Sequence, residues 1–242
     1  MEDLQQELSN VDISMVIPVY NAGGHIDNTV KTVLENFKAL NLSFELILVD
    51  DGSLDNTKKI VNSLNIDNLT LLEHSKNMGK GLAVKDGVLF SKGDYILFMD
   101  ADSSTTINHL TSLITSLKSN NAHIAIASRE HNESIIKTRQ STYKEAFGRF
   151  GNLFMNYILK LDLKDTQCGF KLFKKEVKEI FKKQTLNGFS FDMELLYLAK
   201  KLNYKVIEVP ITWSNNIHSS VKLKDYFKTI LDIFKIKFKN YG

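Results

Sequence analysis

Two aspartates separated by one residue, Asp100 and Asp102, follow an apolar run at positions 95–99. Side chains in an extended segment alternate between its two faces, so these carboxylates are expected to point the same way. Carboxylate oxygens are the ligands that hard divalent cations prefer, and Mg²⁺ in such sites keeps positions open for substrate phosphates. A solvated turn at a strand end is the commoner origin of this triplet. The pair predicts a Mg²⁺ or Mn²⁺ site, and the strength of this prediction depends on the neighbouring residues.

Two further apolar stretches end in polar side chains. Positions 14–19 run into Asn21, and positions 44–49 run into Asp50 and Asp51. In an open α/β sheet, ligands bind in the crevice at the carboxyl ends of the strands. Strand ends of this kind therefore predict one shared ligand crevice. Within it, the Asp51 carboxylate could accept a hydrogen bond from a nucleotide base or ribose, although Asp-Gly-Ser is also ordinary turn chemistry.

Motifs in both halves of the chain resemble those of a known family. In the first half, the segments with the order and spacing of the family 2 glycosyltransferases are Val16–Asn21, Val49–Ser53, Asn77–Gly81 and Asp100–Asp102. In the second half, the segments that resemble the dolichyl-phosphate sugar transferases, and among these the β-glucosyltransferases, are 128–129, 165–171, 191–195 and 208–213. An ordered set of motifs is far more specific than any single one. The resemblance implies the GT-A fold and an inverting enzyme that uses a nucleotide sugar.

The resemblance also assigns residues to the donor and to a metal ion. The residues expected around the donor, with Asn21 holding its loop in shape, are Pro18, Tyr20, Asn21, Val49, Asp51, Lys80, Asp100, Ala101 and Lys222. Asp100 and Asp102 are expected to bind the cation, which stabilises charge on the departing nucleoside diphosphate. Lys222 departs from the family pattern, because Val221 precedes it where relatives have a serine.

Arg129 and Arg139 are the candidates for acceptor binding. A planar guanidinium suits phosphate oxygens, and by resemblance these arginines bind the phosphate of a polyprenol carrier; surface salt bridges are the alternative. Asp192 lies where many family members place a general base. A phosphate acceptor is already ionised near neutral pH, so Asp192 is expected to orient the acceptor or a lysine. The resemblance thus implies Asp102, Asp192 and Arg129 as the catalytic residues.

The segment Gly79-Lys80-Gly81 lacks the spacing of a P-loop. Its glycines are expected to let the backbone pass close to the donor at a helix start, where N–H groups and Lys80 favour negative charge. A solvated lysine on a turn is the alternative. Cys168 is expected to be a small packed residue rather than a nucleophile.

The elements that must position these residues alternate between strand and helix. The apolar pattern predicts strands at 15–19, 46–49, 69–72, 95–99, 123–127 and 206–211. Helical spacing predicts helices near 26–37 and 60, and at 80–90, 107–117, 138–161, 188–202 and 223–241. The segment from Asp165 to Lys171 is expected to be a loop against the active site. This alternation is typical of an α/β fold with a mostly parallel sheet and helices on both faces.

Composition narrows the class of protein. The chain has 242 residues, 43% of them hydrophobic and 24% charged, which fits one α/β domain over residues 1–220. A net charge of +3 is too small to indicate a nucleic-acid partner. Cys168 is the only cysteine, so a reducing compartment is expected. With no apolar N-terminal core and no apolar run near the roughly 18 residues of a membrane span, we expect a cytoplasmic protein, peripheral on the cytoplasmic face of a membrane.

Residues 221–242 are predicted to form a basic amphipathic helix. The large apolar residues that share one helical stripe are Leu223, Phe227, Ile230, Phe234, Phe238 and Tyr241. Lysines flank this stripe at positions 224, 228, 235 and 239. The pattern is typical of a helix in a membrane interface, and a stripe that packs on the domain gives the same sequence.

The residues and the resemblance together favour transfer of glucose from UDP-glucose to dolichyl or another polyprenyl phosphate, giving a β-linked lipid-phosphate sugar. The same chemistry with GDP-mannose is one alternative. A transferase with a sugar hydroxyl as acceptor, for which Asp192 is an obligatory base, is another. The third is a non-catalytic nucleotide-sugar-binding protein. The Asp100 and Asp102 pair speaks against that last alternative, because a pure binder has no leaving group to stabilise.

Overall fold

The fold is built on one central sheet. The computed structural model describes residues 12–102, 104–138, 152, 155–214 and 223–241. Its strands are β1 Asp12–Val19, β2 Ser43–Asp50, β3 Leu69–Glu73, β4 Tyr95–Met99, β5 Ile124–Ser128, β6 Ile135–Thr138, β7 Phe170–Lys174, β8 Val206–Pro210 and β9 Thr212–Ser214. A seven-stranded sheet has the order β3-β2-β1-β4-β7-β5-β8, and β6 pairs with β9 in a separate two-stranded sheet.

Helices connect most of these strands. Their bounds are α1 Ile26–Leu40, α2 Thr57–Ser63, α3 Lys80–Phe90, α4 Leu110–Ser119, α5 Lys178–Lys183, α6 Phe191–Lys201 and α7 Leu223–Phe238. Residues 155–159 are also helical. In α1 the buried side chains recur at helical spacing, from Ile26 through Val30 and Val33 to Phe37. The helix ends at Asn41, whose left-handed backbone (φ 51°) is a common way to close a helix.

The predicted mostly parallel sheet is confirmed. β1, β2, β3 and β4 pair in parallel, and so do β5 and β8. The exception is β7, which runs antiparallel between β4 and β5. The loop predicted from Asp165 to Lys171 is wrong for Phe170 and Lys171, because these two residues begin the strand β7.

Helices cover both faces of the sheet, as predicted. Alternate residues of each strand point to opposite faces, so Met15 and Leu97 pack with α1 and α4. Val16 and Phe98 pack on the other face with α3, α5, α6 and α7. Each face therefore has its own hydrophobic core.

The helix predicted from Thr138 to Leu161 needs a correction at its start. Residues 135–138 form β6 instead, paired with β9. Residues 139–151, 153 and 154 lie outside the described residues, and the helical residues 155–159 agree with the prediction.

The C-terminal helix α7 ends at Phe238, three residues before the predicted end at Tyr241. Its inner face carries Ile233 and Ile236, both 1% exposed and part of the second core. The outer face presents Ile230, Phe234 and Phe238 at 43%, 42% and 81% exposure. These members of the predicted stripe therefore do not form the packed face. Within the described ranges, no helix is both long and apolar enough to cross a bilayer.

Candidate active site

Several chain segments converge at one edge of the sheet. The parallel strands β1, β2 and β4 bring their carboxyl ends there. β7 runs the other way, so its first residues reach the same edge, and the backbone N–H of Asp100 donates to the carbonyl of Gly169 at 2.9 Å. A Cβ on Gly169 would lie only 1.9 Å from Asp100 Oδ2. Only glycine therefore lets the aspartate and the start of β7 approach so closely.

The two aspartates lie in a turn rather than in an extended segment. β4 ends at Met99, and Ala101 and Asp102 form the turn that follows. The predicted extended conformation of Asp100 and Asp102 is therefore wrong, and strand alternation does not set the direction of their side chains. The turn is held from outside, because Thr29 Oγ1 donates to the Ala101 carbonyl at 2.8 Å. Asp102 Oδ1 accepts the N–H of Ser104 at 2.9 Å.

Lys80, the first residue of α3, joins this turn. Its Nζ lies 2.6 Å from Asp100 Oδ1 and 5.3 Å from the centre of the Phe98 ring. Burial works against the ammonium charge, but the attraction of Asp100, Asp192 and Asp102 outweighs it and raises the pKa of Lys80. Lys80 is therefore a fixed positive charge at the crevice, and the alternative of a solvated lysine is wrong.

A second lysine, Lys171, lies under the crevice in an ion pair. It faces Phe98 across the β4–β7 pair and is 1% exposed. Its Nζ contacts Asp192 Oδ1 and donates to the Cys168 carbonyl at 2.7 Å. Burial raises the pKa of Asp192 despite the attraction of Lys171 and Lys80. The prediction that Asp192 orients a lysine agrees with this pair.

The turn has the ligand chemistry of a divalent-cation site. Asp102 is exposed and the Asp100 side chain is 32% exposed, so both carboxylates are accessible from the crevice. No group of three or more His, Cys, Asp or Glu in the described part of the chain could hold a metal ion. Two carboxylates with the remaining positions open to water and phosphate oxygens suit Mg²⁺ or Mn²⁺. The residues therefore fit the predicted cation.

Arg129 follows β5 and forms a two-pronged ion pair with Asp165. Nε and Nη2 lie 2.7 Å and 2.9 Å from the two carboxylate oxygens, and the guanidinium lies 5.5 Å from the Trp213 ring. Asp165 is buried, yet the charge of Arg129 lowers its pKa below the ordinary value. The Arg129 side chain is 30% exposed. The pair is buried on the Asp165 side rather than a surface salt bridge, and binding of the acceptor phosphate by Arg129 stays a prediction.

The model of the family described as glycosyl transferase family 2 matches residues 14–181. The chain belongs to this family. Two relatives, both named dolichyl-phosphate beta-glucosyltransferase, come from Dictyostelium discoideum and Saccharomyces cerevisiae. The D. discoideum protein is 34% identical over 95% of this chain and 78% of its own length. The S. cerevisiae protein is 33% identical over 96% of this chain and 76% of its own length.

Solved structures show the same architecture. Mannosyl-3-phosphoglycerate synthase from Rubrobacter xylanophilus has a TM-score of 0.72 at 15% identity, covering 97% of this chain and 75% of that one. Glucosyl-3-phosphoglycerate synthase from M. tuberculosis has a TM-score of 0.70 at 16% identity, covering 98% and 84%. At this identity the likeness shows the fold, and it confirms the predicted GT-A architecture. Family membership confirms that the chain is a glycosyltransferase.

In this family 2 protein the Asp51 carboxylate is buried and hydrogen-bonded within the chain. Oδ1 accepts the N–H of Met78 and Oδ2 accepts the N–H of Gly79, both at 2.8 Å. His74 Nδ1 lies 2.7 Å from Oδ1. These bonds fix the loop that leads into Lys80. A donor contact of Asp51 stays a prediction, and the observed role of its carboxylate is to hold this loop.

Asn21 connects two loops at the crevice. Its N–H donates to Ser53 Oγ and its Oδ1 accepts the N–H of Leu54, both at 2.8 Å. Its backbone is left-handed (φ 50°), a conformation that asparagine tolerates better than most residues. These bonds agree with the prediction that Asn21 holds its loop in shape.

The other residues predicted to bind the sugar donor differ in how exposed their side chains are. Tyr20 is 46% exposed, whereas the Val49 side chain lies fully in the core. Any donor contact by Val49 is therefore a backbone contact. Pro18 is half-buried at the end of β1. Arg139 and Lys222 lie outside the described residues, and their assignments stay predictions.

The glycines around Lys80 allow close packing against another loop of the chain. The Asn187 carbonyl accepts the N–H groups of Gly81 and Leu82, at 2.7 Å and 3.3 Å. A Cβ on Gly79 would lie 2.3 Å from that same carbonyl oxygen. The N–H groups of Gly81 and Leu82 therefore bind Asn187, and close passage of this backbone past the donor stays a prediction.

The buried ion pair of Lys171 was not predicted from the sequence, whereas the prediction that Cys168 is packed is confirmed. Phe170-Lys171-Leu172-Phe173-Lys174 reads as a strand, and its alternation places Lys171 on the same face as Phe173. A charged residue on a buried strand face is the signal that could have found the ion pair. Cys168 is 2% exposed and burial raises the pKa of its thiol to about 11, so it is no nucleophile at neutral pH.

Proposed function

We propose that this protein transfers glucose from UDP-glucose to the phosphate of a polyprenol such as dolichol, with a divalent cation at Asp100 and Asp102. One observation carries the proposal: an accessible acidic turn beside a fixed lysine charge, at the carboxyl edge of a GT-A sheet. Relatives named dolichyl-phosphate beta-glucosyltransferase, similar over nearly the whole chain, support this choice of substrates. A GT-A neighbour crystallised with Mn²⁺ and UDP-glucose supports the cation and the donor.

The chain's own charges suit the departure of a diphosphate. Asp100 and Asp102 would hold the cation, which when bound neutralises negative charge on the leaving group. Lys80 places its ammonium 2.6 Å from Asp100 Oδ1, next to the same position. Charged groups and hydrogen-bond donors that are already in place stabilise developing charge without the cost of reorganisation. The site therefore favours a reaction in which a nucleoside diphosphate leaves.

The arrangement at Asp192 favours a phosphate acceptor over a hydroxyl. A hydroxyl acceptor needs a base within hydrogen-bond reach of its proton. The Asp192 side chain is only 5% exposed, and Lys171 occupies its Oδ1. A phosphate oxygen is already ionised and attacks C1 of the sugar without a base. Inversion at C1 then gives the β-linked lipid-phosphate sugar and UDP.

The acceptor class can be tested directly. The protein is incubated with UDP-glucose and Mn²⁺, with either a polyprenyl phosphate or the matching free polyprenol, and UDP release is measured. The proposal expects release only with the phosphate. Equal release with the free alcohol would favour the hydroxyl-acceptor alternative.

Arg129→Ala is expected to raise the KM for the lipid phosphate by one to two decades, because a charge-assisted phosphate contact is typically worth about 1.5–3 kcal/mol. The affinity for UDP should change less than twofold. The substitution also leaves Asp165 buried without its partner. Asp165→Asn is the matched control, since it disturbs the same ion pair and keeps the guanidinium. If donor and acceptor affinity fall equally in Arg129→Ala, the arginine has a structural role only.

The outer face of α7 supports placement on a membrane surface. An outer patch combines four exposed apolar side chains, at 81%, 62%, 42% and 81% exposure: Tyr157, Leu231, Phe234 and Phe238. Lys160 and Lys237 border it. Apolar residues bordered by lysines suit an anionic bilayer, where each lysine near the surface contributes about 1 kcal/mol to binding. A membrane-peripheral enzyme on the cytoplasmic face is consistent with an acceptor that lies in a bilayer.

Leu231→Ser combined with Phe238→Ser is expected to weaken binding to phosphatidylserine-containing vesicles at least tenfold, since burial of one large apolar side chain is worth about 1.5–3 kcal/mol. Both positions are exposed, so the fold should survive; truncation from Phe234 would also remove the buried Ile236. Leu54→Ser, at 87% exposure elsewhere on the surface, is the control. Vesicle sedimentation measures the effect. Unchanged binding by the double variant, or no binding by the intact protein, would contradict the patch.

A further inference from the structure

The carboxylate of Glu194 is buried and takes no part in the proposed chemistry. It lies in the first turns of α6 and is 0% exposed. Oε2 accepts the N–H groups of Thr185 and Leu186, at 2.9 Å and 2.7 Å. Oε1 accepts the hydroxyls of Thr185 and Tyr241, at 2.6 Å and 2.9 Å. One carboxylate therefore ties the segment 184–188, hereafter the bracing loop, to the C-terminal end of the described chain.

The bracing loop holds the start of α3. Its Asn187 carbonyl accepts the N–H groups of Gly81 and Leu82. Gln184 Nε2 donates to the Gly81 carbonyl at 2.8 Å. An added Cβ on Gly81 would meet the carbonyl oxygens of the loop at 2.8 Å and 2.9 Å. The loop and the first turn of α3 are thus packed backbone to backbone, so one cannot shift without the other.

Lys80 is the residue that this contact positions. It begins α3 between two glycines, and its Nζ reaches Asp100 at 2.6 Å. A shift of the first turn of α3 changes the distance between this ammonium and the acidic turn. Positioning errors of about 1 Å can cost two decades in rate.

Tyr241 is fixed from two sides. Its hydroxyl donates to Glu194, and its carbonyl accepts Lys183 Nζ at 2.9 Å. It follows α7, which is held in the core by Ile233 and Ile236. The Tyr241 hydroxyl therefore links the C-terminal segment to Glu194, which in turn holds the bracing loop.

We propose that Glu194 and Tyr241 are positioning residues for Lys80, acting through the bracing loop and the first turn of α3. Neither is placed to touch a substrate. The inference rests on the proposed function, because it gives Lys80 its task beside the diphosphate. It adds that the C-terminal segment, including the helix with the outer patch, sets the geometry of the donor site.

Tyr241→Phe tests the proposal, since it removes one hydroxyl and keeps the ring. Isothermal titration of UDP in the presence of Mn²⁺ is expected to show a roughly five- to tenfold weaker affinity. Hydrogen exchange at the amides of Gly81 and Leu82 should become faster by a similar factor. Tyr204→Phe is the matched control, because its hydroxyl donates to the Glu176 carbonyl at 3.0 Å in another part of the molecule. The control should change neither quantity by more than twofold.

A double-mutant cycle separates positioning from general loosening of the structure. In a Lys80→Ala background, Tyr241→Phe should have no further effect on UDP affinity, because the residue through which it acts is gone. Full additivity of the two effects would overturn the proposal, and so would unchanged exchange at Gly81 and Leu82 in Tyr241→Phe. Glu194→Gln should behave like Tyr241→Phe; wild-type values for both quantities in Glu194→Gln would also overturn it.

Failure of the proposed function would look different. If the wild-type protein binds UDP and transfers no glucose, the proposed reaction is wrong, and the titrations and the exchange rates still decide whether Tyr241 acts through Lys80. If transfer is normal and Tyr241→Phe matches Tyr204→Phe in every measurement, the positioning role alone is wrong.

Discussion

Asp102→Asn is expected to lower the rate of glucose transfer by about a hundredfold or more, because several kcal/mol of leaving-group stabilisation depend on the bound cation. The amide keeps the size of the side chain and loses the negative charge that a hard cation requires. Asp102 is exposed in a turn, so the free energy of unfolding should stay within about 0.5 kcal/mol of the wild-type value. The measurement is kcat at saturating UDP-glucose over a range of Mn²⁺ concentrations.

Asp94→Asn is the control for this variant. Asp94 precedes β4 at its opposite end, and its side chain is 68% exposed. The Asp94→Asn variant should keep the wild-type turnover and the wild-type dependence on Mn²⁺. Near-normal turnover of Asp102→Asn in the presence of a chelator would show that the acidic turn does not act through a cation.

Lys171→Met is expected to destabilise the fold by about 3–5 kcal/mol, because breaking a buried ion pair leaves an uncompensated charge. Lys171 and Asp192 are 1% and 4% exposed, so water cannot replace the lost partner. Denaturant unfolding monitored by circular dichroism measures the loss. The double variant Lys171→Met with Asp192→Leu should recover most of the stability, since an apolar pair can replace a buried ion pair. An unfolding midpoint of Lys171→Met equal to that of the wild type would contradict the buried pair.

The pH dependence of this loss follows from Asp192. Burial already raises the pKa of its carboxyl above the ordinary value of 3.8, and removal of Lys171 is expected to raise it further. A group whose pKa is raised on folding binds more protons in the native state, so its contribution to stability is lost as the pH rises through the folded pKa. Lys171→Met should therefore be closer to wild-type stability in acid than at pH 8. A loss independent of pH would mean that Asp192 is not the group left unpaired.

The sequence predicted the crevice because its signals are local. Apolar runs that end in polar residues mark strand ends, and parallel strands bring such ends to one edge. That reasoning placed Asp100 and Asp102 at this edge, although β4 stops at Met99 and the aspartates lie in a turn. Lys80 was assigned to the same site by the resemblance. The turn depends on contacts from Thr29 and Gly169, which are far away in sequence and carry no local signal.

Long-range pairing accounts for most of what the sequence analysis missed. β7 follows a segment that looked like a loop, and its antiparallel position between β4 and β5 depends on partners 71–79 and 45–49 residues away. Lys171 acquires its role only when that strand is in place. The face of α7 that packs on the domain was not predicted, because isoleucines lie on both sides of the helix and the apolar stripe does not say which side is covered.

The sequence left open the roles of residues that suit both a ligand contact and a contact within the chain. Asp51 suits a nucleotide contact and a loop brace equally well in sequence, and the structure shows it bracing the loop before Lys80. Gly79 and Gly81 could allow either a ligand or another part of the chain to come close to their backbone. In the structure the loop around Asn187 lies against them. Arg129 pairs with Asp165, and its side chain is still 30% exposed. Sequence spacing alone does not separate these cases.

The identity of the lipid product tests the central claim most directly. The protein is incubated with Mn²⁺, a polyprenyl phosphate and, in separate reactions, UDP-glucose, UDP-galactose or GDP-mannose, and the lipid fraction is analysed by mass spectrometry. The account predicts a polyprenyl-phosphate hexose from UDP-glucose, with β configuration at C1 by NMR, that is absent when metal is removed. A product formed only from GDP-mannose, an α-linked product, or no lipid-linked sugar from any donor would contradict it.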